Sequence, residues 1–121
     1  MKYIRTKDGI YDKPINTFEH SWGEISWSIG EERYVAHNKE EYEKQINELR
    51  LADTIEELCD AFIIIDEDNK RNIYLKEDGW TFDMMQDLGM WSDRTCYGAI
   101  WTDKGLIFVA KMNDKGDIEL L

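Results

Sequence analysis

The pattern of apolar runs cut by polar turns that organises the chain lies toward its end, from Tyr97 to Leu121. Two similar turn signals, Thr102-Asp103-Lys104-Gly105 and Asn113-Asp114-Lys115-Gly116, divide this stretch into three short extended pieces. A glycine closing each turn supplies the positive φ that a tight hairpin requires. Leu106 to Ala110 is a continuous apolar run, as expected of a strand covered on both faces, whereas Ile118 and Leu120 alternate with Asp117 and Glu119 as on a half-wet edge. The pattern predicts a C-terminal three-stranded meander that nucleates the core.

The same chemistry recurs upstream. Residues 2–5 and 10–12 flank Thr6-Lys7-Asp8-Gly9 and read as an opening hairpin that ends at Pro14. Ile25, Trp27 and Ile29 alternate with polar residues, turn at Gly30-Glu31-Glu32, and return through Arg33 to His37 as a second hairpin. The period then changes. Asn38 with Glu41 is a helix cap, and Tyr42, Ile46 and Leu49 fall on one stripe of a helix expected to run to about Leu51. Thr54 and Glu57 form a capping box for a short second helix with Ile55, Leu58 and Cys59 inward. Ala61 to Ile65 reads as a buried strand, Asp66 to Asn69 as a turn, and Arg71 to Lys76 as the returning strand. Trp80, Met84, Leu88 and Trp91 then share a helical stripe, with Phe82 and Met85 beside it. The expected class is α+β in a single domain spanning residues 1–121, a mainly antiparallel sheet built from hairpins with two to three short helices.

Composition narrows what such a domain can do. Apolar residues make up 42% and aromatics 12% of the 121 positions, ample for a core. No run approaches the ~20 apolar residues that span a bilayer, and the first residues lack the apolar stretch of a signal peptide, so a cytoplasmic protein without a membrane anchor is expected. Cys59 and Cys96 read as reduced thiols, with Cys59 a core residue.

The net charge of −11 disfavours nucleic acid and anionic lipid as direct ligands. Residues 39–66 alone hold nine acids against three bases. Glu40, Glu41, Glu43, Glu48, Asp53, Glu56, Glu57 and Asp60 therefore form a candidate acidic face, which offers carboxylates where a DNA-binding groove expects phosphates. The same residues also suit an ordinary solvated helix surface. Trp80, Met84, Met85 and Trp91 form a second candidate contact, because Trp and Met are enriched at adaptable binding surfaces; a plain core stripe fits them as well.

Enzymatic signatures are missing from the pattern. His20 and His37 stand in no zinc-ligand spacing, no phosphate-cradling glycine loop or nucleophile elbow occurs, and the 66–69 turn lacks the glycine and glutamate of an EF-hand loop. No cofactor or metal is expected. A couple between Cys96 and a histidine stays open, since such pairs meet in space.

Three blocks carry a resemblance: Met1-Lys2-Tyr3-Ile4-Arg5-Thr6-Lys7-Asp8-Gly9-Ile10-Tyr11, Ala52-Asp53-Thr54-Ile55-Glu56-Glu57-Leu58-Cys59-Asp60, and the run from Tyr97 to Asn113. They resemble small uncharacterised proteins of Firmicutes phages and prophages. Stretches 1–12, 52–66 and 96–121 look like a shared scaffold, and 13–50 and 67–95 like variable inserts. The resemblance implies a phage-encoded acidic binding protein that inhibits a host defence nuclease, as an anti-CRISPR protein does, by occluding a basic nucleic-acid-binding groove. Its partner would be a host protein such as a CRISPR effector, met in the bacterial cytoplasm. The alternatives are a phage accessory or morphogenesis protein that self-associates or docks through residues 80–91, and a small Cys/His hydrolase.

Overall fold

The computed structural model describes residues 3–92 and 94–121, and for residues 89–92 the backbone alone. Strands dominate it. One sheet joins β1 (Tyr3–Arg5), β2 (Ile10–Tyr11) and β6 (Arg50–Ala52) in the order β2-β1-β6. A second joins β3 (Ile15–Glu19), β4 (Ile25–Ile29) and β5 (Glu32–Ala36) in chain order. The third holds β7 (Ala61–Ile65), β8 (Arg71–Leu75), β9 (Cys96–Thr102), β10 (Gly105–Met112) and β11 (Ile118–Leu120), ordered β11-β10-β9-β7-β8. Every pairing is antiparallel. Two α-helices complete the described residues, α1 (Lys39–Asn47) and α2 (Phe82–Ser92), an arrangement compatible with the α+β class.

The expectation of a three-stranded C-terminal sheet needs correction, because β9 continues into β7 and the sheet has five strands. The reason lies in Ala61–Ile65. Its first four residues are buried, so both faces and both edges of the strand are covered, by β8 on one side and β9 on the other. Gly98 lets this sheet close up. A methyl group at that position would come within 2.8 Å of Cys59 Sγ and 3.2 Å of Ile118 Cδ1.

One face of the five-stranded sheet carries the main core. Phe62, Ile64, Cys96, Ile100 and Ala110 pack there against Met85 of α2, Ile10 of β2, and Ile55, Leu58 and Cys59 of the connecting segment. A smaller core lies under the β3-β4-β5 sheet, where Ile25, Trp27 and Ile29 are buried as their alternation predicts. Helix α1 seals it: Trp27 Nε1 donates to Gln45 Oε1 at 2.7 Å, and the Trp27 ring stacks on Tyr34 at 4.1 Å. No helix among the described residues is long and apolar enough to cross a membrane.

Strand β3 adds an element to which the pattern gave no assignment. Two local expectations fail: α1 stops at Asn47 so that residues 50–52 can pair with β1, and residues 54–59 form turns and no helix. Only half of the capping box forms there. The Thr54 N–H donates to Glu57 Oε2 at 3.3 Å, but Thr54 Oγ1 is buried without a hydrogen-bond partner. The eight residues between β6 and β7 are too few to recover the cost of nucleating a helix.

Candidate functional site

Helix α1 begins at Asn38, whose Oδ1 accepts the Glu41 N–H at 2.8 Å. Glu40 and Glu41 fill the first turn, where acids complement the helix dipole. Glu41 also accepts from Gln45 Nε2 at 3.4 Å, while Glu40, Glu43 and Glu48 face solvent. These acids share α1 with Lys39 and Lys44, so the helix surface is acidic but interrupted.

The remaining predicted acids do not extend that surface as a second helix. Asp60 is committed inside the protein: its two oxygens accept Arg5 Nη1 at 2.7 Å and Arg5 Nη2 at 2.6 Å, and Oδ2 also accepts the Trp101 N–H at 2.7 Å. Arg50 Nη1 approaches Asp60 at 3.9 Å. Burial pushes the Asp60 carboxyl up, but the Arg5 and Trp101 hydrogen bonds and the two guanidinium charges outweigh it and hold the group below the usual carboxylate range. Arg5 further donates to the Leu58 carbonyl at 3.1 Å, which ties the first sheet to the five-stranded one. Asp60 is thus a joint of the fold. The neighbouring carbonyls of Glu56 and Glu57 accept from Lys76 Nζ at 2.8 and 3.3 Å.

Asp53 and Glu56 lead elsewhere. With Asp83 and Asp117 they line a cleft of about 270 Å³ between the 53–57 turn, the first turn of α2 and the start of β11. No lysine or arginine is among the described residues that line it. Gln86 crosses its floor and donates to the Gly116 carbonyl, fixing the β10–β11 turn against α2. Thr81 Oγ1 accepts the Met84 N–H at 3.3 Å and so caps the start of α2, where Asp83 sits. Asp83 and Asp117 carry no local signal in the sequence, because the cleft is assembled from three distant segments.

The Trp and Met residues do not form one exposed cluster. Met85 is fully buried in the core, and Trp80 packs edge-on to Tyr74 at 4.7 Å. Met84 and Leu88 are the exposed members, at 46% and 39%. Trp91, the last predicted member, lies outside the described side chains.

The thiols are core groups. Burial pushes Cys59 up to about 12 and Cys96 up to about 11. His20, just past β3, is engaged with Ser26 Oγ at 2.8 Å, and His37, just past β5, with Glu24 at 3.4 Å. Among the described residues, the Cys96 thiol donates to the Tyr97 carbonyl at 3.9 Å, and neither histidine is hydrogen-bonded to a thiol. The Asp66 carboxylate accepts the N–H groups of Asp68 and Lys70, both at 2.9 Å, and serves to hold the β7–β8 turn.

No protein-family model, curated protein or solved structure matches this chain.

Proposed function

We propose that this chain is a non-enzymatic binding protein that recognises a positively lined surface on another protein. Its role would be that of a phage-encoded inhibitor of a host defence nuclease, acting in the bacterial cytoplasm by occupying a basic nucleic-acid-binding groove. The observation that carries this reading is the cleft that Glu56, Asp83 and Asp117 help to line, with no lysine or arginine among its described lining residues. A concave site bounded by low-dielectric walls focuses the field of its charges. It therefore suits the arginine or lysine side chain of a partner better than a phosphate or a sugar.

The net charge of −11 acts at longer range. It accelerates encounter with a cationic surface and repels nucleic acid, which makes the protein a competitor for a nucleic-acid groove. The exposed carboxylates of Glu40 and Glu43 on α1, and of Glu48 at its C-cap, contribute to that field. Asp60 does not, because Arg5 neutralises it.

Capture from a bacterial lysate on the immobilised protein, read by mass spectrometry and followed by a nuclease assay with the captured protein, tests the reading. The expected result is a nucleic-acid-binding protein whose activity falls when the chain is added. The double variant Asp83→Lys, Asp117→Lys should lose capture by at least about tenfold, since close interfacial charge pairs couple by ~1.5–7 kcal/mol. Undiminished capture by that variant would remove the cleft from the account.

A further inference from the structure

Strand β3 has an open edge whose geometry can be read from its hairpin. His20 N–H donates to the Glu24 carbonyl at 2.8 Å, and Gly23 N–H returns to the His20 carbonyl at 3.0 Å. Antiparallel ladders alternate, so Phe18 and Asn16 also bond toward β4, and the N–H and C=O groups of Ile15, Thr17 and Glu19 point the other way. No described group pairs with them. The opposite edge of the same sheet is treated differently: the outward carbonyl of Val35 in β5 accepts from Gln45 Nε2 of α1 at 3.2 Å.

Open edges are normally blunted by a bulge, a lysine or a proline. Strand β3 pairs with β4 over five residues without a register shift and contains no cation. Pro14 precedes it, but shares the parity of Asn16, so its missing N–H faces β4 and leaves the open edge intact.

We propose that this edge is an interaction surface and that its occupant is a second copy of the same chain, paired β3 to β3 about a twofold axis at Thr17. In that register all three outward-facing residues find partners, Thr17 with Thr17 and Ile15 with Glu19 of the second copy. The Thr17 hydroxyl is already paired with Tyr42 OH at 3.1 Å, so the Thr–Thr contact is one of packing, and no two like charges stand opposite each other. Lys13, which has no ion pair among the described residues, falls diagonal to the second copy's Glu19, so the charges at the seam complement each other.

The register also explains an exposed aromatic strip. Phe18 and Trp22 are 64% and 68% exposed, with the His20 ring between them at 4.8 and 4.4 Å. The second copy brings Asn16 beside Phe18 and Pro14 beside His20, which flanks two of its three rings. The two isologous halves merge into one six-stranded sheet.

Each copy carries −11, so long-range repulsion opposes this contact while the seam itself is close to neutral. Self-association is therefore strengthened by salt, the reverse of the response expected for a basic partner.

Sedimentation equilibrium of the full chain, without any partner, at 50 and 500 mM NaCl and up to about 1 mM protein tests the proposal. The expected result is a monomer–dimer equilibrium whose dissociation constant falls by roughly tenfold at the higher salt, as screening of the like charges requires. Thr17→Pro, which removes the central outward N–H at a position where an edge strand tolerates proline, should leave a monomer. Thr17→Lys sets two ammonium groups across the axis and should do the same, and it keeps the test decisive if the proline variant does not fold. Thr17→Cys should form an intermolecular disulfide on mild oxidation, because Cα atoms of a hydrogen-bonded antiparallel pair stand ~5.5 Å apart, within reach of that bond. A chain that stays monomeric at both salt concentrations overturns the proposal. So does a dimer that survives both Thr17→Pro and Thr17→Lys, or one in which Thr17→Cys fails to cross-link.

Discussion

Asp60 shows how a single residue can change meaning between sequence and structure. Along the chain it closes an acidic run; in space it sits 2.6 Å from Arg5 and accepts the Trp101 amide. Its partners lie 55 and 41 residues away, and separations of that size leave no periodic signal. Replacing it by Asn keeps a hydrogen-bond acceptor for Trp101 but leaves the Arg5 guanidinium without its counter-charge. The expected loss is about 2–4 kcal/mol in a urea titration at pH 7, near the value for breaking a partly desolvated ion pair. The Asp60 carboxyl is held below its unfolded range, so its contribution is complete above a pH of ~4 and is lost as pH falls through the folded value. The gap in urea midpoint between the wild type and Asp60→Asn should therefore narrow on acidification. A gap that stays constant would mean that the charge of the Asp60 carboxylate is not what stabilises the joint. Cys59 was legible as a core residue from its stripe, whereas Cys96 and the two histidines required coordinates, because only these say whether distant side chains meet.

At the scale of elements, segments with strong alternation were legible and segments defined by their neighbours were not. Ile25, Trp27 and Ile29 declare a strand by themselves, and Ala61 to Ile65 does so by apolar continuity. Strand β3 carries mostly polar, exposed residues and owes its form to pairing with β4. Residues 50–52 suit a helix by propensity, but pairing with β1 prevails, as tertiary context routinely does. The 53–60 segment shows the same conflict, and its failure to become a helix turns Asp53 and Glu56 into the cleft. Strand β9 depends on Gly98, where space is decisive. Gly98→Ala should cost about 1–3 kcal/mol through overpacking against Cys59 and Ile118, measured as a lower thermal midpoint. An unchanged midpoint would show that the two strands have room to separate. Added room from Cys59→Ala should restore part of the loss, because the two groups share one space.

For the whole molecule, charge decides more than shape. Hairpins and short helices occur in many domains of this size and do not specify a task. An excess of eleven negative charges, gathered in part around one concave site, does restrict the choice of partner. Composition alone shows the sign and size of that excess, and the acidic stretch 39–66 points to a helical face that Lys39 and Lys44 interrupt in the fold. Residues 13–50 contribute the β3-β4-β5 sheet and α1, and residues 67–95 contribute β8 and α2. The cleft is built at the boundary between such a segment and the strands around it, with Asp83 from one and Asp53, Glu56 and Asp117 from the others.

The most direct measurement is a salt titration of the complex with the captured partner, by calorimetry from 50 to 500 mM NaCl. The account predicts that affinity falls steadily and by more than about tenfold across that range, with a shallower slope for Asp83→Lys, Asp117→Lys. An affinity that is independent of salt, or that rises with it, would contradict recognition by charge.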